Sequence, residues 1–503
     1  MEPMILIALS LSLCAIFASF MYFSYQHKQL PPGPFPIIGS LTSLLTKGSM
    51  EEKLKRLHAI YGPVVTLYDG LKPTIFVLHS AAHEALVQKG LIFSSRPHVT
   101  DGLSRVYFNQ KSISLSPNGP VWRLLRGNLS SKILTPQAVR SYSPARQWAL
   151  QVLLRQVEAH SKKGPVPVLK AFEFMMHSLL SYICFGVKIE DEEMMKKIIA
   201  VHANLVNGGF SQELNIWGGL GRFLFPKKWA KYMNDCKERE ELLLPLVQAR
   251  RKYLQENKDN LGNPFMTYVD SLFELQVPGE SQKMEDRHVI GLCSEILIGG
   301  SHTTMSAFQW IMANLVKYPH IQDKLFQEIA KVVDAKEVMV TDLDVKKIPY
   351  LQAVVLEALR RHPLGYVLMP HAASEETSLL GYRVPKGTTT VFVSQEAGFD
   401  PQIWEDPMEF RPERFIPTDG EEIHFDVAGS KEIKMMAFGA GKRVCPGYNM
   451  GLLHLEFFVA NMVWKFQWTP DVNGVDLQPV DPRSSMMVMK HPLKAHISTR
   501  TMA

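Results

Sequence analysis

Between Met4 and Tyr25 the chain runs for 22 residues without a charge, most of them apolar. A helix that is apolar on every side has to be enclosed by protein or by lipid. At ~1.5 Å per residue such a run matches a ~30 Å hydrocarbon core, so residues 1–25 are expected to form a transmembrane helix. The flanks favour an uncleaved anchor over a signal peptide, because the only earlier charge is Glu2 and the basic His27 and Lys28 follow the segment. The positive-inside rule then places everything after Lys28 in the cytosol. On that topology the sequon at Asn128-Leu129-Ser130 stays unglycosylated. The next stretch, Pro31-Pro32-Gly33-Pro34-Phe35-Pro36, has too few backbone donors for helix or sheet and reads as a stiff extended connector within a hinge spanning residues 26–40.

Beyond the hinge no change in composition marks a second boundary, so residues 41–503 are expected to form one catalytic unit. The pattern there is mainly helical. Ser294–Val316, Ile321–Val333, Leu351–Arg361 and Met450–Phe466 carry apolar residues at helical spacing, and a small β component is expected where Val64–Tyr68 and Thr74–Leu78 form a hairpin. A net charge of +6 is too diffuse for a nucleic-acid partner and suits an anionic membrane face or an acidic protein. Five cysteines, with no CxxC pair and an odd count, argue against both a disulfide framework and a structural zinc site, which fits a reducing compartment.

The chemistry lies near the C-terminus, in Phe438-Gly439-Ala440-Gly441-Lys442-Arg443-Val444-Cys445-Pro446-Gly447. This is no phosphate loop, since no Ser or Thr follows the lysine and Val444 stands where a dinucleotide fingerprint has its third glycine. Read as F-x-x-G-x-R-x-C-x-G, it resembles the haem-binding loop of the cytochrome P450 family. The resemblance implies a mainly α fold with a small β region, behind an N-terminal transmembrane helix. It also implies haem b (iron protoporphyrin IX) ligated by the sulfur of Cys445, whose electron-rich thiolate favours O–O cleavage.

Other residues extend the resemblance. Phe438 belongs to the same loop, and Arg443 would pair with a haem propionate. Trp122 and Arg126 match the family's W-x-x-x-R helix, with both side chains on one face and directed at propionates, and His371 resembles a further propionate contact. Glu357-x-x-Arg360 followed by Arg414 in Phe410-Arg411-Pro412-Glu413-Arg414-Phe415 implies a buried charge triad holding the loop that presents the thiolate. The substrate pocket implied by family position draws on Tyr107, Phe108, Ile298, Leu364 to Leu368, Met486 and Met487, side chains that suit an apolar small molecule. Pro370-His371-Ala372-Ala373-Ser374-Glu375-Glu376 and Trp404-Glu405-Asp406-Pro407 look most like plant microsomal members, near the branch with fatty-acid hydroxylases and pigment-catabolite oxidases.

One segment departs from the family. In Gly299-Gly300-Ser301-His302-Thr303-Thr304, the glycines that give dioxygen room and the relay alcohol Thr303 are present, but His302 occupies the place of the usual acid. Three readings follow: His302 shuttles protons with a different pH profile, it binds the ligand or substrate, or it is tolerated because ordered water supplies the protons.

The activity implied is insertion of one oxygen atom from O₂ into a C–H or C=C bond. Electrons would come from NADPH through NADPH-cytochrome P450 reductase, since no flavin or nicotinamide module is found in the chain, and the endoplasmic reticulum membrane would be the setting. Two alternatives are a haem-thiolate isomerase or dehydratase acting on a peroxide without reductase, and a non-enzymatic haem sensor.

Overall fold

The paired prolines of the connector offer carbonyls but no N–H groups, and the structure uses them accordingly. Thr66 donates its backbone N–H to the Pro32 carbonyl (3.0 Å) and its hydroxyl to the Pro31 carbonyl (2.8 Å). Gly33 is needed there, because a Cβ at this position would lie 2.0 Å from the Thr66 carbonyl oxygen. The start of the connector is thus docked on a strand. The structure, a computed structural model, describes residues 29–34, 50–69, 72–99, 104, 107, 109–209, 221–257, 266–279, 281–417, 423–479 and 488–500. The apolar segment at Met4–Tyr25 and most of the hinge lie outside the described residues.

By its internal contacts the chain divides into two compact units. The smaller takes in residues up to Pro97 together with Leu368–Val393. Its four-stranded sheet places Val64–Asp69, Lys72–Val77, Thr389–Phe392 and His371–Ala372 side by side. The first pair is the expected antiparallel hairpin, with Val64 opposite Val77. The second pairing is parallel and brings a distant piece of chain onto the hairpin, which alternation along either strand could not reveal.

The larger unit, His98–Val367 with Ser394–Ala503, is helical. Its axis is the 32-residue helix Asp286–Lys317, about 48 Å long. That helix packs against Val168–Phe185, Pro226–Glu256 and Tyr448–Lys465, so side chains around much of its circumference are buried. Prolines open several helices at positions where a missing N–H costs nothing: Pro120–Asn128, Pro319–Ala330 and Pro349–Arg361. The expected helices appear, with shifted ends. Ile321–Val333 stops at Ala330, and Phe466 leaves its helix to begin the strand Phe466–Pro470, which pairs with Lys494–Thr499.

Among the described residues Val168–Phe185 is the one helix long and apolar enough to cross a membrane, yet most of it is buried inside the fold. It is a core helix. Asn128 of the sequon is also buried, donating its side-chain amide to the Ser271 hydroxyl (2.9 Å), so the fold itself closes that position to a glycan.

Candidate active site

Loop Phe438–Gly447 has its shape because two glycines adopt a left-handed backbone, with φ of 71° at Gly439 and 68° at Gly441. The Cys445 N–H closes the loop on the Phe438 carbonyl (2.8 Å). Gly447 then caps the helix Tyr448–Lys465, so the sulfur sits at a helix N-terminus, where partial positive charge favours a thiolate. Burial pushes the Cys445 thiol up, while the Gly447 N–H and the Arg126 guanidinium pull it down. Although deep in the protein, the residue keeps accessible surface, as a side chain bordering a cleft does.

The loop is wired to its surroundings through arginines. Arg126 donates to the Val444 carbonyl (2.8 Å). Arg443 donates to the carbonyls of Ile113 (3.1 Å) and Ser116 (2.6 Å), and its guanidinium carbon lies 4.1 Å from the Trp122 ring centroid. The same turn is gripped from its other side by Glu295 of the central helix, which accepts from the N–H groups of Ile113 (2.9 Å) and Ser114 (2.7 Å) and from the Ser114 hydroxyl. Burial raises the Glu295 carboxyl, and those hydrogen bonds with the Arg443 charge lower it.

Sequence reasoning missed Glu295. Its signal was an acid inside an apolar helical run, four residues before Gly299 and seven before His302, hence on their face of the helix.

On the central helix the two glycines do different work. A Cβ on Gly299 would meet nothing within 4 Å, whereas one on Gly300 would lie 2.8 Å from Leu180 Cδ1. Only Gly299 borders open space; Gly300 lets the helix Val168–Phe185 approach. Thr303 donates its hydroxyl to the Gly299 carbonyl (2.6 Å). His302 is half-buried, and its Nε2 is buried without a partner. Burial also lowers its pKa, so the ring is neutral at pH 7.

The charge triad forms. Arg360 grips the Glu357 carboxylate with Nε (2.7 Å) and Nη2 (2.8 Å), and Arg414 Nε reaches it at 3.1 Å. Glu357 and Arg360 are fully buried. One carboxylate faces two guanidinium groups, and backbone carbonyls of Gly398, Pro407 and Glu409 for Arg360, and of Glu405 for Arg414, take up the remaining donors. This ties residues 398–414 to the helix Pro349–Arg361. Trp404 from that segment and Phe415 directly after it pack in one apolar cluster with Met435 and Phe438, carrying the constraint to the cysteine loop.

The expected pocket residues fall in both units. Tyr107, beside Leu205, Tyr232 and Cys236, and the half-buried Ile298 and Leu364 belong to the larger unit. Leu368 and His371 belong to the smaller one. There His371 is buried, its Nδ1 2.6 Å from the Phe93 carbonyl oxygen. Phe108, Met486 and Met487 lie outside the described residues.

A cysteine at a helix N-terminus beside the Arg126 guanidinium, facing a helix with an open glycine, is the set of parts that a flat, acid-bearing metal macrocycle would need. Comparison with known proteins gives the same class. The Cytochrome P450 family model matches residues 30–498. "Cytochrome P450 89A9" of Arabidopsis thaliana is 39% identical, over 97% of this chain and 96% of the relative. The tabersonine/lochnericine 19-hydroxylase of Catharanthus roseus is 29% identical over 92% and 91%. The fold is shared with a zebra fish cytochrome P450 solved with progesterone, with a TM-score of 0.75 at 22% identity over 90% of this chain and all of that one.

The chain belongs to the cytochrome P450 family. It is a haem-dependent monooxygenase acting on a small molecule, with electrons drawn from NADPH through a redox partner. The residues suit haem on this structure's own terms: the Cys445 sulfur lies beside Arg126, the buried Trp122 Nε1 has no partner, and open space borders Gly299.

Proposed function

We propose that Cys445 ligates the haem iron, that Trp122 Nε1 and Arg126 meet the acidic side chains of the porphyrin, and that His371 does so by resemblance. Phe438 packs beneath the loop, and Arg443 acts as a positioning residue, because its Nη atoms hold the Ile113–Ser116 turn. Bound haem supplies the oxygen chemistry: with two electrons and two protons, O₂ yields one inserted oxygen atom and one water. Thr303 and His302 bring the protons. What supports this is that both lie within one turn of Gly299, and that neutral His302 has an unpartnered buried nitrogen able to accept one. The substrate is an apolar small molecule, met by Tyr107, Phe108, Ile298, Leu364, Leu368, Met486 and Met487.

The partner is NADPH-cytochrome P450 reductase, and the chain is held in the endoplasmic reticulum membrane by residues 1–25, with its catalytic part in the cytosol. The unpartnered Trp122 Nε1 beside the arginine-lined cysteine loop carries the haem-site reading. Its test is the reduced carbonyl spectrum of the purified protein. The parent is expected to give the long-wavelength band of thiolate-ligated haem, and Cys445→His to lose it. An unchanged band in Cys445→His would overturn the assignment. Membrane-extracted protein with reductase and NADPH should then turn over an apolar substrate; turnover of a fatty hydroperoxide without NADPH would favour the isomerase class instead.

A further inference from the structure

In the smaller unit the strands Thr377–Leu379 and Tyr382–Val384 form a hairpin, with Leu379 opposite Tyr382. Its turn is Leu380-Gly381, and both residues have a left-handed backbone, with φ of 48° and 82°. Asn, Asp or Gly normally fills the first place of such a turn. A leucine carries a steric cost there, and this one gains little from the protein in return. Leu380 is 46% exposed, and Tyr382, the next side chain along, is 38% exposed. Apolar residues scattered on a surface need no explanation, but an apolar residue held at a strained corner does.

The turn is clamped from the protein side. The Glu84 carboxylate accepts the Leu380 N–H (3.2 Å), while Lys89 donates to the Ser378 carbonyl (2.6 Å) and pairs with Glu84 (2.7 Å). The backbone is thereby fixed and the two side chains are left outside. Charges around the hairpin cancel. Arg383 holds Glu376 through two bonds (3.1 and 2.7 Å), Lys89 neutralises Glu84, and exposed Lys386 balances exposed Glu375. What the tip offers is therefore apolar surface and a tyrosine.

The same hairpin holds the chain on its way to the anchor. Arg383, directly after Tyr382, donates its N–H to the Gln29 carbonyl (2.8 Å), and three residues separate Gln29 from the apolar run ending at Tyr25. That places the tip within reach of the lipid headgroups, the level at which tyrosine is enriched in membrane proteins.

We propose that Leu380-Gly381-Tyr382 is a second membrane contact, entering the headgroup layer of the bilayer that holds the anchor. Leu380 then sits among the first acyl carbons and Tyr382 lies at the interface with its hydroxyl toward water. Burial of the leucine in lipid offsets the cost of its backbone. Together, tether and tip fix how the smaller unit stands on the membrane. This rests on the reading of residues 1–25 as an anchor.

The test uses the haem-loaded full chain in phosphatidylcholine vesicles. Leu380→Cys and Tyr382→Cys each carry an environment-sensitive fluorophore, with background read from the labelled parent, and the reduced carbonyl band checks folding. Nitroxide on the lipid is expected to quench both labels, and iodide in the water to quench them several-fold less than the free dye. Leu380→Asn, which suits the left-handed turn, is expected to raise the unfolding temperature in detergent and to weaken lipid quenching of the label at position 382 several-fold. Full iodide access without lipid quenching overturns the proposal. Shielding from iodide without lipid quenching also overturns it, since a protein partner or a second copy would then cover the tip. Unchanged lipid quenching in Leu380→Asn overturns the role of the leucine. Release of the unlabelled parent from vesicles by alkaline carbonate would remove the anchor itself, a separate failure.

Discussion

The guanidinium of Arg443 stacks on the Trp122 indole at 4.1 Å while its two terminal nitrogens hold the carbonyls of Ile113 and Ser116. A planar fork is required for this, and lysine cannot replace it. Arg443→Lys is expected to lose about 1–3 kcal/mol of stability from the broken charged hydrogen bonds and to retain less haem. Urea midpoints and haem content per chain check both.

Glu295→Gln tests the other grip on the same turn. Its carboxylate accepts three hydrogen bonds, and an amide oxygen accepts them less strongly while its NH₂ group faces donors. A loss on the order of 2 kcal/mol is expected, with weaker haem retention, although the residue is not among those proposed to touch haem. Unchanged haem content would mean the turn is held from the Arg443 side alone.

The two central glycines should separate stability from activity. Gly300→Ala drives a methyl into Leu180, an overpacking cost of about 1–3 kcal/mol that a gain in helix propensity, up to about 1 kcal/mol, offsets only in part. Gly299→Ala meets nothing and gains helix propensity, up to about 1 kcal/mol, yet it fills the space proposed for oxygen and should lower turnover. Thermal unfolding beside product formation distinguishes them.

Removing the acid of the triad leaves two buried guanidinium groups facing each other. Glu357→Gln is expected to destabilise by about 3–5 kcal/mol, seen as loss of folded, haem-loaded protein. Lys324 and Glu413, a paired but exposed couple, should give well under about 1 kcal/mol when either is replaced.

Acid should destabilise this protein through its buried histidines. Burial holds His177 to about 4, His454 to about 3, and His202 and His362 well below 6.5. The unfolded chain therefore takes up protons near pH 6.5 that the folded one refuses. The stabilisation is complete above that value and is lost as pH falls toward the folded values, roughly 3 kcal/mol for His177 alone. Glu456, which burial pushes up to about 7, opposes this by favouring the folded state as it protonates. Urea midpoints are expected to drop on going from about pH 7 to about pH 5, more steeply in Glu456→Gln; equal midpoints would contradict it.

Local pattern carried the long helices, the hairpin and the cysteine loop, since each repeats or fixes residue types over a short span. What it could not carry was partnership between distant residues. Nothing in the strand Thr389–Phe392 announces a parallel neighbour at Lys72–Val77, and nothing around His177 or His202 announces that helix packing sets them behind His302. The two adjacent glycines looked equivalent until Leu180 separated them. Arg443 reads as a propionate contact from its place in the motif, and the motif could not announce the hydrogen bonds it also makes to residues more than 300 positions away.

The docked prolines limit reach. Besides the bonds from Thr66, Arg383 donates its N–H to the Gln29 carbonyl (2.8 Å), leaving only Gln26, His27 and Lys28 between that tether and Tyr25. The four steps from Tyr25 to Gln29 extend about 14 Å at most. An anchor ending at Tyr25 would therefore moor the smaller unit against the lipid headgroups like a boat on a short line, and lengthening that line by a few glycines would let it drift.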